Sequence, residues 1–226
     1  MATFAYQCEA TSVSGFLAQL VRYVAAGHYF YITGVIPERK IPRQVDDKLI
    51  GLYGISRPKW RRARRHRAGV AGIHYLRFKR FFVLIATHGE HRFFLDHAAQ
   101  IQDIRRTALK FRGYSIRHTY STSQQRWRVF VRLDRETYRD LRAYLLQLAV
   151  RHEFRGGREI EVEFHGLPVV PYQPVRRQLL AILKAVNRKR RQAGLSKLAP
   201  SCVPNALRIG SVFTDSGGSD AKVEAA

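Results

Sequence analysis

Two short constellations hold the side chains best suited to acid–base or metal chemistry. His88-Gly-Glu-His91 follows an apolar run, which places two imidazoles and the Glu90 carboxylate at a strand end. A metal pair at that spacing needs at least one further ligand, and none is evident. His88, Glu90 and His91 are therefore the candidate catalytic groups of a small DNA or RNA endonuclease or nicking enzyme. The second constellation is Glu159, Glu161 and Glu163, which alternate with Ile160, Val162 and Phe164. On a strand these carboxylates share one face and, with an acid from elsewhere, suit Mg²⁺. A solvated row shielded by nearby arginines is the plainer reading. A metal-independent ribonuclease would draw instead on His28, His74 or His118, paired with a tyrosine or lysine.

Other chemistries lack their signatures. There is no Walker loop, dinucleotide fingerprint or zinc-finger spacing, and no His-x-His pair of the kind used by rolling-circle initiators and single-strand transposases. No metal or cofactor is assigned, and Mg²⁺ enters only with the nuclease alternative. Cys8 and Cys202 lie far apart and match no metal or redox spacing, so they read as reduced thiols.

Charge is more informative than any catalytic motif. The chain has 226 residues and a net charge of +23. The stretch from Lys48 to Gly89 contains no aspartate or glutamate, and near its centre runs Arg57-Pro-Lys-Trp-Arg-Arg-Ala-Arg-Arg-His-Arg67. Residues 104–133 carry eight Arg or Lys and no acid, and residues 164–214 carry nine and no acid. Such segregation is unfavourable in a free domain and is relieved by a polyanion. Arginine predominates, and its planar fork suits bidentate phosphate contacts.

The candidate nucleic-acid contacts follow from this. Lys59, Trp60, Arg61, Arg62, Arg64, Arg65 and Arg67 form the densest group, with Trp60 available for stacking. Arg77, Lys79 and Arg80, near Tyr75, interleave cations with rings on one hairpin, and Arg126 and Arg128 do so around Trp127 on another. Arg177, Lys184, Arg188 and Arg191, extended by Lys189 and Arg190, recur at helical spacing and form a second rail. The alternating rings also have a plainer use as core residues.

The elements that must position these groups can be read from periodicity. Ser12 or Ser14 caps a helix ending at Gly27. Tyr29–Ile36 is a strand, Pro37 and Pro42 bracket a loop, and a short helix with Asp46 and Asp47 in its first turn follows. The arginine run is a helix from Pro58 to Gly69 with almost no apolar face, expected to order against its partner. Ile73–Phe78 and Phe81–Thr87 are paired strands, the second apolar on both faces and so central in its sheet. His91–Leu95 reads as a third strand. Tyr114–Tyr120 and Arg126–Leu133 form a hairpin, Asp134 caps a helix, Glu159–His165 is a strand, and Pro174 opens a long helix.

The expected fold class is α+β: mixed or antiparallel sheets with packed helices, plus the arginine-rich helix. The expected organisation is an N-terminal α/β lobe over 1–107 with the arginine segment at 57–67, a ββαβα lobe over 108–199, and a flexible tail over 200–226. No apolar run reaches the roughly 18 residues of a membrane span, and no secretory leader is evident at the start. The expectation is thus a cytoplasmic, intracellular protein with no membrane partner that binds DNA or RNA, of the kind found in mobile-element, plasmid-replication or RNA-guided systems. A ribosome-like structural RNA-binding protein is a further alternative.

Overall fold

Ser12 begins the first helix by accepting the Gly15 N–H on its hydroxyl at 3.0 Å. The computed structural model describes residues 6–122, 124–151, 156–167, 170–204 and 210–213. In chain order the elements are α1 (Val13–Ala25), β1 (Phe30–Val35), α2 (Pro42–Leu52), α3 (Lys59–Arg67), β2 (Ile73–Phe78), β3 (Phe81–Ala86) and α4 (Arg92–Asp96). They continue through β4 (Gln102–Asp103), β5 (Leu109–Phe111), β6 (Tyr114–Ser121), β7 (Arg126–Leu133), α5 (Arg135–Leu148), α6 (Arg158–His165) and α7 (Gln173–Gln192). The fold is α+β, with two antiparallel sheets ordered β2-β3-β1-β4 and β5-β6-β7. As its two-sided apolar sequence requires, β3 lies inside its sheet, with Ile73 and Phe30 both opposite Ala86.

The larger buried cluster takes side chains from both sides of residue 107: Phe16, Leu20, Phe78 and Ile85 join Phe111, Ile116, Leu145, Phe164 and Leu179. At its centre the Phe16 ring lies 4.2 Å from that of Phe111 and near Phe78 and Phe81, so α1 fastens the two sheets together. A smaller cluster around Tyr53, Tyr75, Leu84 and Phe93 fills the space between the first sheet and the segments holding α2 and α4.

The structure revises several expectations. Glu159–His165 is the helix α6 and not a strand, so the second half runs βββααα rather than ββαβα. Gly157 enters that helix at φ +90, Glu159 and Glu161 lie in its first turn where the dipole favours anions, and Ile160 and Phe164, four apart, are buried. On a helix the three glutamates do not share a face, and Glu163 accepts a hydrogen bond from the Tyr144 hydroxyl at 3.0 Å. The proposed Mg²⁺ row therefore does not exist.

His91–Leu95 is also not a strand: His91 caps α4 by accepting the Phe93 N–H on Nδ1 at 3.1 Å. Pro42 is not a loop residue but opens α2, so Asp46 falls inside the helix and is buried. Part of the expected tail, within 200–204 and 210–213, packs against the body of the fold. Cys202, Val203 and Val212 lie in the larger core, and Thr11 N–H bonds the Val212 carbonyl. The remainder of the expected tail, 205–209 and 214–226, lies outside the described residues. Among the described residues no helix is long and apolar enough to cross a membrane.

Candidate functional site

Helix α3 forms despite its charge because arginine is a good helix former and because Arg64, Arg65, His66 and Arg67 stand in the last turn, where cations complement the dipole. Gly69 at φ +77 ends it. The chain then runs straight into a backbone tie: Glu90 N–H bonds the Gly69 carbonyl at 2.9 Å, and Ala71 N–H bonds the Glu90 carbonyl at 3.1 Å. Gly89 makes this approach possible. It sits at φ +135, and a Cβ there would lie 2.5 Å from the Gly69 oxygen. The arginine helix and the His88-Gly-Glu-His91 turn, separate in sequence, are thereby joined.

A cavity of about 720 Å³ opens where they meet, walled by Arg57, Arg65, Glu90, His91, Arg92 and Tyr53 among others. Several of the wall side chains are held by hydrogen bonds. Arg57 Nε donates to the Gly54 carbonyl at 2.8 Å. Gly54 is at φ +57, and a side chain on it would strike that guanidinium. The Tyr53 ring bridges to α4, its hydroxyl 2.8 Å from His97 Nε2. Because His91 Nδ1 is an acceptor, Nε2 carries the proton of the neutral ring. Burial, then the Arg65 charge, hold this imidazole below its ordinary pKa, although the Tyr53 carbonyl and Asp96 pull the other way. His91 is thus a neutral ring in a basic cavity. Glu90 and His88 are exposed, and His88 stands 6.2 Å from the Phe30 ring, outside the cavity wall.

The ion pairs among the described residues are Arg77–Glu9, Arg77–Asp46, Arg92–Asp96, Arg105–Asp103 and Arg139–Asp140. None involves Arg61, Arg62, Arg64, Arg65 or Arg67. Arg61 lies over the exposed Trp60 ring at 5.0 Å, while Arg64 and Arg67 reach into solvent. The Lys59 side chain lies outside the described residues. Arg62 differs from its neighbours. It turns inward, with Nη1 3.4 Å from His74 Nε2 and Nε buried without a partner.

Behind Arg62 lies a ring cluster. His74 stacks on Tyr23 at 4.1 Å and faces His28 at 4.8 Å, while Tyr6 hydroxyl lies 3.2 Å from His74 Nδ1. Burial pushes His28 down to about 4 and His74 to about 3, with Arg62 adding to both. These rings are neutral structural groups, not exposed acid–base catalysts. Their folded pKa values lie below the unfolded value of about 6.5. Hence the unfolded chain takes up protons that the folded chain refuses, and stability falls as pH drops from about 6.5 toward 4. In urea melts at pH 7 and pH 5, the loss on acidification is expected to be smaller in His74→Phe than in the parent. Equal losses would show that the cluster does not set the acid response.

Several expected contacts are withdrawn. Arg77 is 5% exposed and grips Asp46 and Glu9. Burial alone would lower its pKa, but those carboxylates raise it overall. Sequence alternation cannot distinguish this inward cation from an outward one. Tyr75 is fully buried and donates to Asp46 at 2.6 Å, so it cannot stack on a base. Arg80 donates to the carbonyls of Pro37 at 2.7 Å and Glu38 at 3.1 Å, clamping the loop between β1 and α2. Lys189 Nζ donates to the Leu146 carbonyl at 2.9 Å near the end of α5, and Arg190 is fully buried, its Nε donating to the Ser196 carbonyl at 2.8 Å.

The exposed remainder is Lys79, Arg126, Arg128, Arg177, Lys184, Arg188 and Arg191. Lys184, Arg188 and Arg191 line a second groove of about 400 Å³ with Lys197. Arg92, outside the arginine run, and Arg57, at its start, join this site through proximity in space to His91, which spacing does not reveal. Among the described residues no group of His, Cys, Asp or Glu is placed to hold a metal ion.

Comparison with family models, curated proteins and solved structures finds no match.

Proposed function

We propose that this chain is a cytoplasmic nucleic-acid-binding protein that holds a phosphate backbone along α3 and across the adjoining cavity, with the α7 row as a second rail. The observation that carries this reading is that, among the described residues, none of the five α3 arginines has an ion-pair partner in a chain of net charge +23. Side-chain cations concentrated without counter-charge repel one another, and a polyanion relieves that repulsion while releasing its own condensed ions. Arg57, held by the Gly54 carbonyl, and Arg65 present their guanidinium groups to the cavity, where a phosphate is partly withdrawn from water and each charge-assisted bond is strengthened.

A second reading, phosphodiester cleavage, is favoured by the placement of Glu90 and His91 in the same cavity wall as those arginines. One set of measurements separates the two. Labelled single-stranded and duplex DNA and RNA are titrated by anisotropy across about 50–200 mM salt, then incubated with and without Mg²⁺. The binding reading expects affinity that falls steeply with salt, by close to 0.9 logarithmic units per unit of log salt for each phosphate contact on duplex DNA. Absence of binding to all four would end it. Cleavage that is lost in Glu90→Gln, with affinity retained, would establish the enzyme.

A further inference from the structure

We infer that the corner formed by Trp127 and Tyr120 is a stacking site for an unpaired nucleobase, distinct from the α3 grip. The inference rests on the nucleic-acid reading and adds to it a preference for single strands.

The hairpin of β6 and β7 alternates, and one face buries Ile116 and Val131. The same face continues outward through His118 and Val129 to Tyr120 and Trp127, paired across the strands. There the core ends: Tyr120 is 50% and Trp127 56% exposed. Two large rings at one spot in water forgo the gain of burial.

Beneath them runs a continuous ladder. The Arg105 guanidinium lies 4.6 Å over Tyr29, and Tyr29 stacks on His118 at 5.0 Å and 13°. His118 then faces Trp127 at 5.2 Å, and Trp127 meets Tyr120 edge-on at 6.0 Å and 72°. Tyr29 immediately precedes β1, so the ladder fixes the exposed indole against both sheets and leaves it little freedom to lose on binding.

Charge completes the case: residues 104–133 carry cations and no acid, Arg105 closes the ladder, and Arg117, Arg126 and Arg128 stand exposed on the opposite face of the same hairpin. A flat apolar corner on a hairpin whose other face carries arginines suits a base attached to a phosphate. An apolar peptide would not need that charge, and duplex nucleic acid hides its base faces.

The test uses a dodecamer of thymidylate, and its ribose counterpart in uridylate, each with 2-aminopurine at alternate positions. Binding is read by anisotropy and stacking by 2-aminopurine fluorescence. The full-length chain should quench the probe on binding. Trp127→Ala should abolish the quench and weaken single-strand affinity by about fivefold to a hundredfold, with duplex affinity unchanged. Trp127→Phe should recover most of both effects. An unchanged circular dichroism spectrum for each variant shows that folding is intact. Single strands that bind without quenching, and with equal affinity in Trp127→Ala, would overturn the stacking site and leave the α3 grip standing. A Trp127→Ala variant that loses duplex and single-strand affinity equally would also overturn it. If no nucleic acid binds the parent chain, both readings fall.

Discussion

Asp46→Ala is expected to lower unfolding free energy by about 3–5 kcal/mol, the range for removing one partner from a buried ion pair. Asp46 accepts from Arg77 Nε at 2.9 Å and Nη2 at 2.9 Å, and from the Tyr75 hydroxyl at 2.6 Å. Arg77 is 5% exposed and Tyr75 is fully buried, so neither can turn to water when the carboxylate is lost. Glu9 remains on the other side of the guanidinium, at 2.7 Å, but its side chain is 56% exposed and solvent screens it. Glu9→Ala should therefore cost about 1 kcal/mol or less. Urea unfolding of both variants, followed by circular dichroism, checks the contrast. Equal losses would show that burial does not control the strength of this triad.

Reversal of Arg61, Arg64 and Arg65 to glutamate should reduce duplex affinity by at least two to three orders of magnitude at about 0.1 M salt. Each phosphate contact contributes close to 0.9 to the log–log slope, so three contacts are worth about 500-fold under those conditions, before the repulsion of the new carboxylates is counted. The salt slope itself should fall by nearly three units. Arg62 is left out deliberately, because its inward contact with His74 makes reversal a folding defect as well as a binding one. Anisotropy across a salt series reads both quantities, and a thermal melt confirms that the triple variant is folded. An unchanged slope would remove α3 from the interface.

Much of the frame was legible from pattern because pattern is local. Ser12, Gly27 and Gly69 mark helix ends through backbone geometry, and the two-sided apolar run of β3 demanded an interior strand. Where the reading failed, two periodicities competed or a partner was distant. Glu159–His165 satisfies a period of two and an i, i+4 repeat equally well, and only the buried Ile160–Phe164 pair decides for a helix. Arg77 and Arg80 look like their neighbours in sequence, yet one meets Asp46, 31 residues away, and the other clamps a loop. The cavity was illegible for the same reason. Its walls come from segments brought together by the Gly89 contact, and nothing in the spacing of Arg57, Arg65 and His91 announces that they meet.

The outermost strand of the second sheet has a consequence for how copies of this protein behave toward one another. Strand β7 ends its sheet, and at Leu133 the Gln178 amide satisfies both the N–H and the carbonyl that a further strand would take. Along the rest of that edge stand Arg126, Arg128 and Arg132. A second molecule approaching in register would bring its own guanidinium groups against these, so the open ladder is guarded against self-templated fibre growth by the charge that also makes the surface basic.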